Sequence, residues 1–524
     1  MPSPPDPFVP SALKVAASLG LALALAGSRP AEGSDAVRPN IVLIMADDMG
    51  FSDIGATGSE IATPNLDRLA REGQLWTDFH NNAKCTTTRV SLLTGRYPRR
   101  PEPHLTPTTP TIADTLAAAG YHTVHSGKWH LAGRRDLIGD AAPFHPLDRG
   151  FAVSYGLLDG CCNFFDPSRP DPDFKGNRVR SFQDGREPVT SFPEGFYTTD
   201  AFTDVAVREI RSAAERGQPF FVHLCYTAPH YPLHAPADLI AAYRGRYRKG
   251  WESLREERFT RQVASGFFDA SIALPDPEPD VPDWDRLSDE ERDYFDHLMA
   301  TYAAMVDQMD RQIGRVLDTL DQTETADRTL VLFLSDNGGC AEKPGGIDLT
   351  RTPGVAEGYT AVGPGWASAQ NTPYRRYKSW THEGGIKTPL LARWPGVIAA
   401  SSQTDATGHI IDLHPTLADA AGTQPLSEPN DVHSHVDGVS LLPAFRGEPL
   451  TRRRPLFWEW NRSYGVRDGR WKAIRPKGGD GWKLYDLVAD PTETEDLAAI
   501  HPDRVGQMSA AWSTWADAMR AESP

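Results

Sequence analysis

The chain has 524 residues, 24% charged and 40% hydrophobic, with 44 glycines and 44 prolines. At roughly 150 residues per domain this allows several domains or one large α/β enzyme, and it excludes collagen, coiled coil and polytopic membrane protein. Fifty-four basic against seventy acidic residues give a net charge of −16, so the surface as a whole repels nucleic acid and anionic membranes, and an anionic substrate needs a local cationic pocket.

Residues 15–26 (VAASLGLALALA) follow Lys14 and end in an A-x-A signal, Ala24 and Ala26. This is the pattern of a secretory signal peptide. The uncharged stretch, residues 15–28, is shorter than the 18 or so residues of a spanning helix. No stable membrane anchor is expected, and the mature chain is expected to be secreted or periplasmic. Five cysteines, Cys85, Cys161, Cys162, Cys225 and Cys340, are an odd and sparse set that makes no disulfide framework.

Residues 40–46 (NIVLIMA) form a continuous apolar run, the pattern of a strand covered on both faces. Thr63 as N-cap and Pro64 at the first position open a helix that Gly73 closes. Further strands are expected at 121–124, 219–226, 329–335 and 389–394. The longest helix starts at a capping box, Ser288 with Glu291, and carries Leu298, Tyr302, Met305, Met309, Ile313, Val316 and Leu320 as a core-facing stripe. Residues 149–194, 244–285 and 340–370 show little periodicity and read as long decorating loops. After about residue 445 come short aromatic strands and a last helix with Val505, Met508, Trp512, Trp515 and Met519 on one face. The division is a signal peptide (1–26), an α/β catalytic domain (38–445) and a smaller α+β domain (446–524).

Alternating strands and helices imply a doubly wound α/β sheet, whose ligands bind beyond the carboxyl ends of the strands. The informative polar residues follow those ends: Asp47 and Asp48, Lys128 and His130, His230, then Asp336 and Asn337. Asp47, Asp48, Asp336 and Asn337 offer only oxygen donors, which suit Ca²⁺ or Mg²⁺. Lys128, His130, His230 and Lys378 would supply the positive pocket. Cys85 precedes Arg89, a cation that stabilises charge on a nucleophile, and a helix opening near Thr88 would add free amides.

Cys85-Thr86-Thr87-Thr88-Arg89 followed by Leu93-Thr94-Gly95-Arg96 resembles the signature of the type I sulfatases of the alkaline phosphatase superfamily. The resemblance continues in ADDMG (46–50), GKWHL (127–131), TAPHYP (227–232), SDNGG (335–339) and YKSWTHEGG (377–385). Thr87 departs from the pattern, since the family usually has Pro or Ala there. The resemblance implies an alkaline-phosphatase-like mixed sheet flanked by helices, and an arylsulfatase-like sulfuric ester hydrolase acting on a sulfated small molecule or glycan. It implies that a formylglycine-generating enzyme converts Cys85 to formylglycine, whose hydrate is the nucleophile. It also implies a divalent metal, commonly Ca²⁺, held by Asp47, Asp48, Asp336, Asn337 and residue 85. Arg89 would hold developing charge, Lys128 and Lys378 would contact sulfate, His230 with Lys378 would protonate the leaving oxygen, and His130 would orient or deprotonate the hydrate. Lys378 is chosen over Lys387 because the family lysine lies five residues before the Glu of EGG, here Glu383. His145, Asp148, Arg149 and Asn163 are lesser candidates for a substrate wall. Two alternatives accompany this reading: a phosphodiesterase or phosphonate hydrolase of the same superfamily, disfavoured by Asn337 and by the Lys128 and Lys378 pair, and a non-catalytic sulfated-ligand binder in which Cys85 stays unmatured.

Overall fold

A computed structural model of the chain describes residues 38–98, 105, 108–131, 144–427 and 436–521. The signal-peptide stretch therefore lies outside the described residues. The main sheet is built from β1 (Asn40–Ala46), β2 (Gln74–His80), β3 (His122–Gly127), β4 (Val153–Leu157), β5 (Phe182–Asp184), β6 (Glu187–Pro188), β7 (Phe220–Cys225), β8 (Thr329–Ser335), β9 (Lys387–Arg393), β10 (Ser402–Thr404) and β11 (Gly408–His409). Its order is β10-β2-β9-β8-β1-β7-β3-β4-β5-β6, with β11 also on β2. Strands β8, β1, β7, β3 and β4 run parallel, whereas β9 is antiparallel to β8 and β2, so the sheet is mixed.

Burial on both faces explains the apolar run of β1. Val42, Ile44 and Ala46 point into one core and Ile41, Leu43 and Met45 into the other, each of these side chains larger than alanine contributing about 1.5–3 kcal/mol. The first core is covered by the helices Thr198–Glu215 and Asp289–Gln322. The latter has 34 residues, about 50 Å at 1.5 Å per residue, and opens on the expected Ser288/Glu291 capping box. The second core is covered by the helices Cys85–Thr94, Ile112–Ala118 and Leu413–Ala420. A separate antiparallel sheet, β12 (Leu456–Trp460), β13 (Ser463–Asp468), β14 (Trp471–Arg475) and β15 (Lys483–Asp486), packs Val466, Ala473 and Leu484 against Met508, Trp512 and Ala516 of the helix Pro502–Ala521.

Several local expectations are corrected. The Cys85 helix opens at Cys85 itself, not near Thr88. Thr63 sits at the N-cap but its hydroxyl accepts from Gly55 N and donates to Asp67, giving no cap bond. The three stretches read as loops carry structure. Residues 149–194 contain β4, β5 and β6, residues 244–285 contain the helix Gly250–Ala264, and residues 340–370 end in the helix Gly363–Gln370. Periodicity fails for Gly250–Ala264 because its buried face includes Arg255, Arg258 and Gln262. Arg258 is held there by Asp53 at 2.7 Å and Glu60 at 2.8 Å.

Candidate active site

The parallel register that sets Ala46 beside Ser335 brings the next residues of both strands together. Asp336 N donates to Ala46 O at 3.1 Å, Asp48 N to Asp336 Oδ1 at 3.3 Å, and Met49 N to Ser335 Oγ at 3.0 Å. Asp48 occupies the left-handed region at φ 66°, which Asp tolerates better than bulkier residues. Its carboxylate is tied down by Asn337 Nδ2 at 2.6 Å and by Lys378 Nζ at 2.6 and 2.8 Å.

Lys128 leaves β3 beside β7, its amide donating to Cys225 O at 2.8 Å. The turn requires Gly127: φ is +119° and a Cβ would fall 1.8 Å from Cys225 O. Lys128 Nζ then reaches Asp47 Oδ2 at 2.5 Å. Arg89, one turn into the Cys85–Thr94 helix, donates through Nε and Nη2 to Asp336 Oδ2 at 3.0 and 2.8 Å and through Nη1 to Lys128 O at 2.8 Å. Each of three buried carboxylates thus has its own buried cation. Cys85 begins that helix and is buried.

His230 follows β7. Its Nδ1 lies 2.5 Å from Tyr231 O and its Nε2 3.4 Å from Asp48 Oδ2. Both nitrogens face oxygen acceptors, an arrangement made for a doubly protonated ring, while burial and then Lys378 hold its pKa well below the usual histidine value. A proton placed there is readily given up. His130, at φ 58°, is also kept neutral by burial, with Lys128 and Arg89 adding to the effect. Its ring lies against Gly160, where a Cβ would come within 2.6 Å of it.

Burial pushes the Asp47 carboxyl up to about 8 against the pull of Lys128. Burial also opposes the charge of Asp48, but His230 and Lys378 outweigh it and hold that carboxyl below the ordinary range. Among the described residues, the buried atoms Asp47 Oδ1 and Asn337 Oδ1 have no hydrogen-bond partner, and ligand atoms of Asp47, Asp48 and His230 lie within 4.8 Å of one another. Two orphaned hard oxygens in a carboxylate cluster fit a Ca²⁺ or Mg²⁺ ion.

Lys387 lies elsewhere, with Asp78 and Glu383 each at 2.9 Å. The lesser candidates do structural work. His145 caps a 3₁₀ turn and meets Gln183 at 2.8 Å, Asp148 pairs with Arg186, Arg149 bonds Thr109 O, and Asn163 bonds Ala356 O. Sequence reasoning named His230 and Asp48 but not the residues that stand beside them. His230, Tyr231, Cys340 and Tyr302 line a cavity with Asp48, and Glu342 joins Lys84 at 2.6 Å to the Tyr231 hydroxyl at 2.7 Å. The TAPHYP block carried a signal for Tyr231; nothing in the sequence marked Glu342.

Residues 39–423 match the Sulfatase family, and residues 375–506 match N-sulphoglucosamine sulphohydrolase, C-terminal. The chain is 32% identical to an uncharacterized sulfatase of Schizosaccharomyces pombe over 91% of this chain and 93% of that one. It is 32% identical to the arylsulfatase of Klebsiella aerogenes over 79% of this chain and 92% of that one. Among solved structures, Ps i-CgsB in complex with k-i-k-neocarrahexaose superposes with a TM-score of 0.66 at 26% identity, covering 91% of this chain and 93% of that one. With three cation–carboxylate pairs gathered around the helix that starts at Cys85, and with this match along most of its length, the chain belongs to the sulfatase family and is a sulfuric ester hydrolase.

Proposed function

We propose that the protein hydrolyses sulfate esters of a glycan, with residue 85 matured to formylglycine and Ca²⁺ held by Asp47, Asp48, Asp336 and Asn337. The observation that carries this reading is the pairing of Arg89, Lys128 and Lys378 with Asp336, Asp47 and Asp48, Arg89 lying one turn into the helix that Cys85 begins. The three cations balance the three carboxylates they pair with, so a bound divalent ion would leave the pocket positive and complementary to a sulfate monoester anion. The glycan substrate rests on relatives: k-i-k-neocarrahexaose is the ligand named in the Ps i-CgsB complex, and the mouse N-acetylgalactosamine-6-sulfatase is 28% identical.

Formylglycine would supply two hydroxyls on one carbon when hydrated, and the cation a Lewis acid. Around them the chain's own residues bind and move protons. Lys128 and Lys378 hold sulfate oxygens, and Arg89 fixes Asp336 while its charge faces residue 85. His230 delivers a proton from Nε2 to the departing alcohol oxygen, with Lys378 beside it, and His130 takes a proton from residue 85. Residues 38–445 form the catalytic unit and 446–524 the smaller one, and the leader at 1–26 directs a secreted or periplasmic location. Among the described residues no helix is long and apolar enough to cross a membrane.

Mass spectrometry of the residue 85 peptide tests this reading, on protein coexpressed with a formylglycine-generating enzyme. Trypsin would release only residues 85–89, so a second protease must give a longer fragment. The expected result is the aldehyde or its hydrate, with turnover of an aryl sulfate exceeding that of an aryl phosphodiester. Unmodified cysteine in a protein whose turnover survives Cys85→Ala would overturn it.

A further inference from the structure

Three side chains that the proposed reaction does not use meet on the sheet face covered by the Cys85–Thr94 helix. His125 of β3 lies across from His223 of β7 in the parallel register. Cys225 follows His223 by two residues and so shares its face. All three are buried. His223 Nε2 stands 3.0 Å from Cys225 Sγ, and one ligand atom from each residue lies within 4.8 Å of the other two. The surroundings are aromatic: Phe151 stacks on His223 at 6.2 Å and Trp129 meets His125 edge-on at 5.0 Å.

Among the described residues, neither ring nitrogen of His125 nor Nδ1 of His223 has a hydrogen-bond partner, and the Gly127 backbone acts on His125 only as a minor influence. Nitrogens removed from water with nothing in exchange destabilise a fold. A neutral imidazole carries one lone pair, so a metal ion that engages one nitrogen of each ring removes part of that cost. Burial keeps both rings neutral, holding His223 at about 3 and His125 well below the usual value, so each ring keeps one lone pair for a ligand.

We propose that His125, His223 and Cys225 form a buried site for one soft d¹⁰ metal ion, Zn²⁺ or Cu⁺, distinct from the carboxylate cluster of the active site. Two imidazoles and a thiol with no oxygen donor are wrong for Ca²⁺ or Mg²⁺ and right for these ions. On binding, the metal–sulfur bond forms as the Cys225 S–H bond breaks, and the proton leaves to solvent; nothing is oxidised or reduced. Burial pushes the Cys225 thiol up to about 12 against the pull of the Arg89 guanidinium beside it, so the thiolate forms only as the metal displaces the proton. With that thiolate, Cu⁺ makes a neutral three-coordinate centre next to Arg89, whereas Zn²⁺ adds one positive charge and takes a fourth ligand from water. Either ion would pin β3 to β7 directly below the turn that launches Lys128.

The test uses the full chain, produced with Zn²⁺ in one arm and Cu⁺ in the other, desalted, and analysed for both metals and for Ca²⁺ by mass spectrometry. The expected result is one equivalent of Zn²⁺ or Cu⁺ per chain, the arm showing which. Cys225→Ser and His125→Phe each reduce it to background and leave the Ca²⁺ content unchanged. Co²⁺ loading should give a thiolate charge-transfer band that Cys225→Ser abolishes. Should the variants fail to fold, X-ray absorption on the unaltered protein decides, through a sulfur neighbour at about 2.3 Å. Background metal in both arms, retention of the equivalent by either variant, or a shell of nitrogen and oxygen alone would overturn the proposal. Since Ca²⁺ and residue 85 are read separately, failure here leaves the sulfatase reading where it stood.

Discussion

Replacing Lys472 with methionine tests how the C-terminal sheet supports the loop that carries Lys378. Lys472 leaves β14 fully buried, with Nζ 2.6 Å from Glu383 Oε1 and 2.8 Å from Glu493 Oε1. Glu383 keeps Lys387 at 2.9 Å and His80 at 3.1 Å. Glu493 has no second ion pair among the described residues, and its other oxygen accepts from Glu383 N at 2.8 Å. Burial already pushes the Glu493 carboxyl up, and Lys472 is the main force restraining it. Removing one partner of a buried pair costs about 3–5 kcal/mol because the other charge is left uncompensated. Neutralising that charge with Glu493→Gln in the same chain should recover part of the loss, a coupling of about 1–3 kcal/mol. Thermal unfolding of the two single variants and the double variant measures this, with aryl sulfate turnover read below the transition. Turnover of Lys472→Met should fall while the protein is still folded, because Glu383 anchors the segment five residues after Lys378. Single effects that add to within about 0.5 kcal/mol, or a Lys472→Met protein as stable and active as the parent, would refute the reasoning.

Further predictions concern pH, the cation cluster and the maturation motif. Burial lowers His234 and His414 to about 4 from 6.5, so the unfolded chain takes up protons at these sites before the folded one does. Their stabilisation is complete above about pH 6.5 and is lost as pH falls toward 4, at up to about 1.4 kcal/mol per pH unit for each histidine; an unfolding temperature that stays level from about pH 7 to 5 would count against it. Asp48→Asn removes the carboxylate charge that pairs with Lys378 and would face the cation, and should lower kcat on the order of 10²-fold and weaken Ca²⁺ in a binding isotherm; unchanged values in both would discount the cluster. Thr87 spends its hydroxyl on Asn82 O at 3.0 Å and Lys84 O at 2.8 Å. The first helical bond of that segment is Thr88 N to Lys84 O, so residue 87 donates no ladder bond and Thr87→Pro should cost no more than about 1 kcal/mol. Conversion of Cys85 by a formylglycine-generating enzyme should rise in that variant, as peptide mass spectrometry would show.

The candidate site was legible where an apolar strand ended in a pair of carboxylate or amide residues. NIVLIMA followed by Asp47-Asp48 and TLVLFLS followed by Asp336-Asn337 announce both the strands and what stands at their ends, and pairing Ala46 with Ser335 brings the two pairs together. The long helix was legible for the same reason: its buried stripe is apolar. Hydrophobic period detects burial only when the buried residues are hydrophobic.

What escaped the sequence is burial by ion pairing. The helix Gly250–Ala264 turns Arg255, Arg258 and Gln262 inward, so its polarity reads as a solvated loop, although Arg258 is matched by Asp53 and Glu60 about two hundred positions away. Lys472 and Glu383 are 89 positions apart and Lys378 and Asp48 are 330 apart, and no local spacing encodes either pair. A charged residue is solvated by default, so each such partner reads as surface until the topology brings its counter-ion to it. The proposed reacting groups lie in short motifs, several of them at strand ends, but their support is assembled from distant charges. That is why the residues that would do the chemistry could be read one by one, while those that fix their geometry could not.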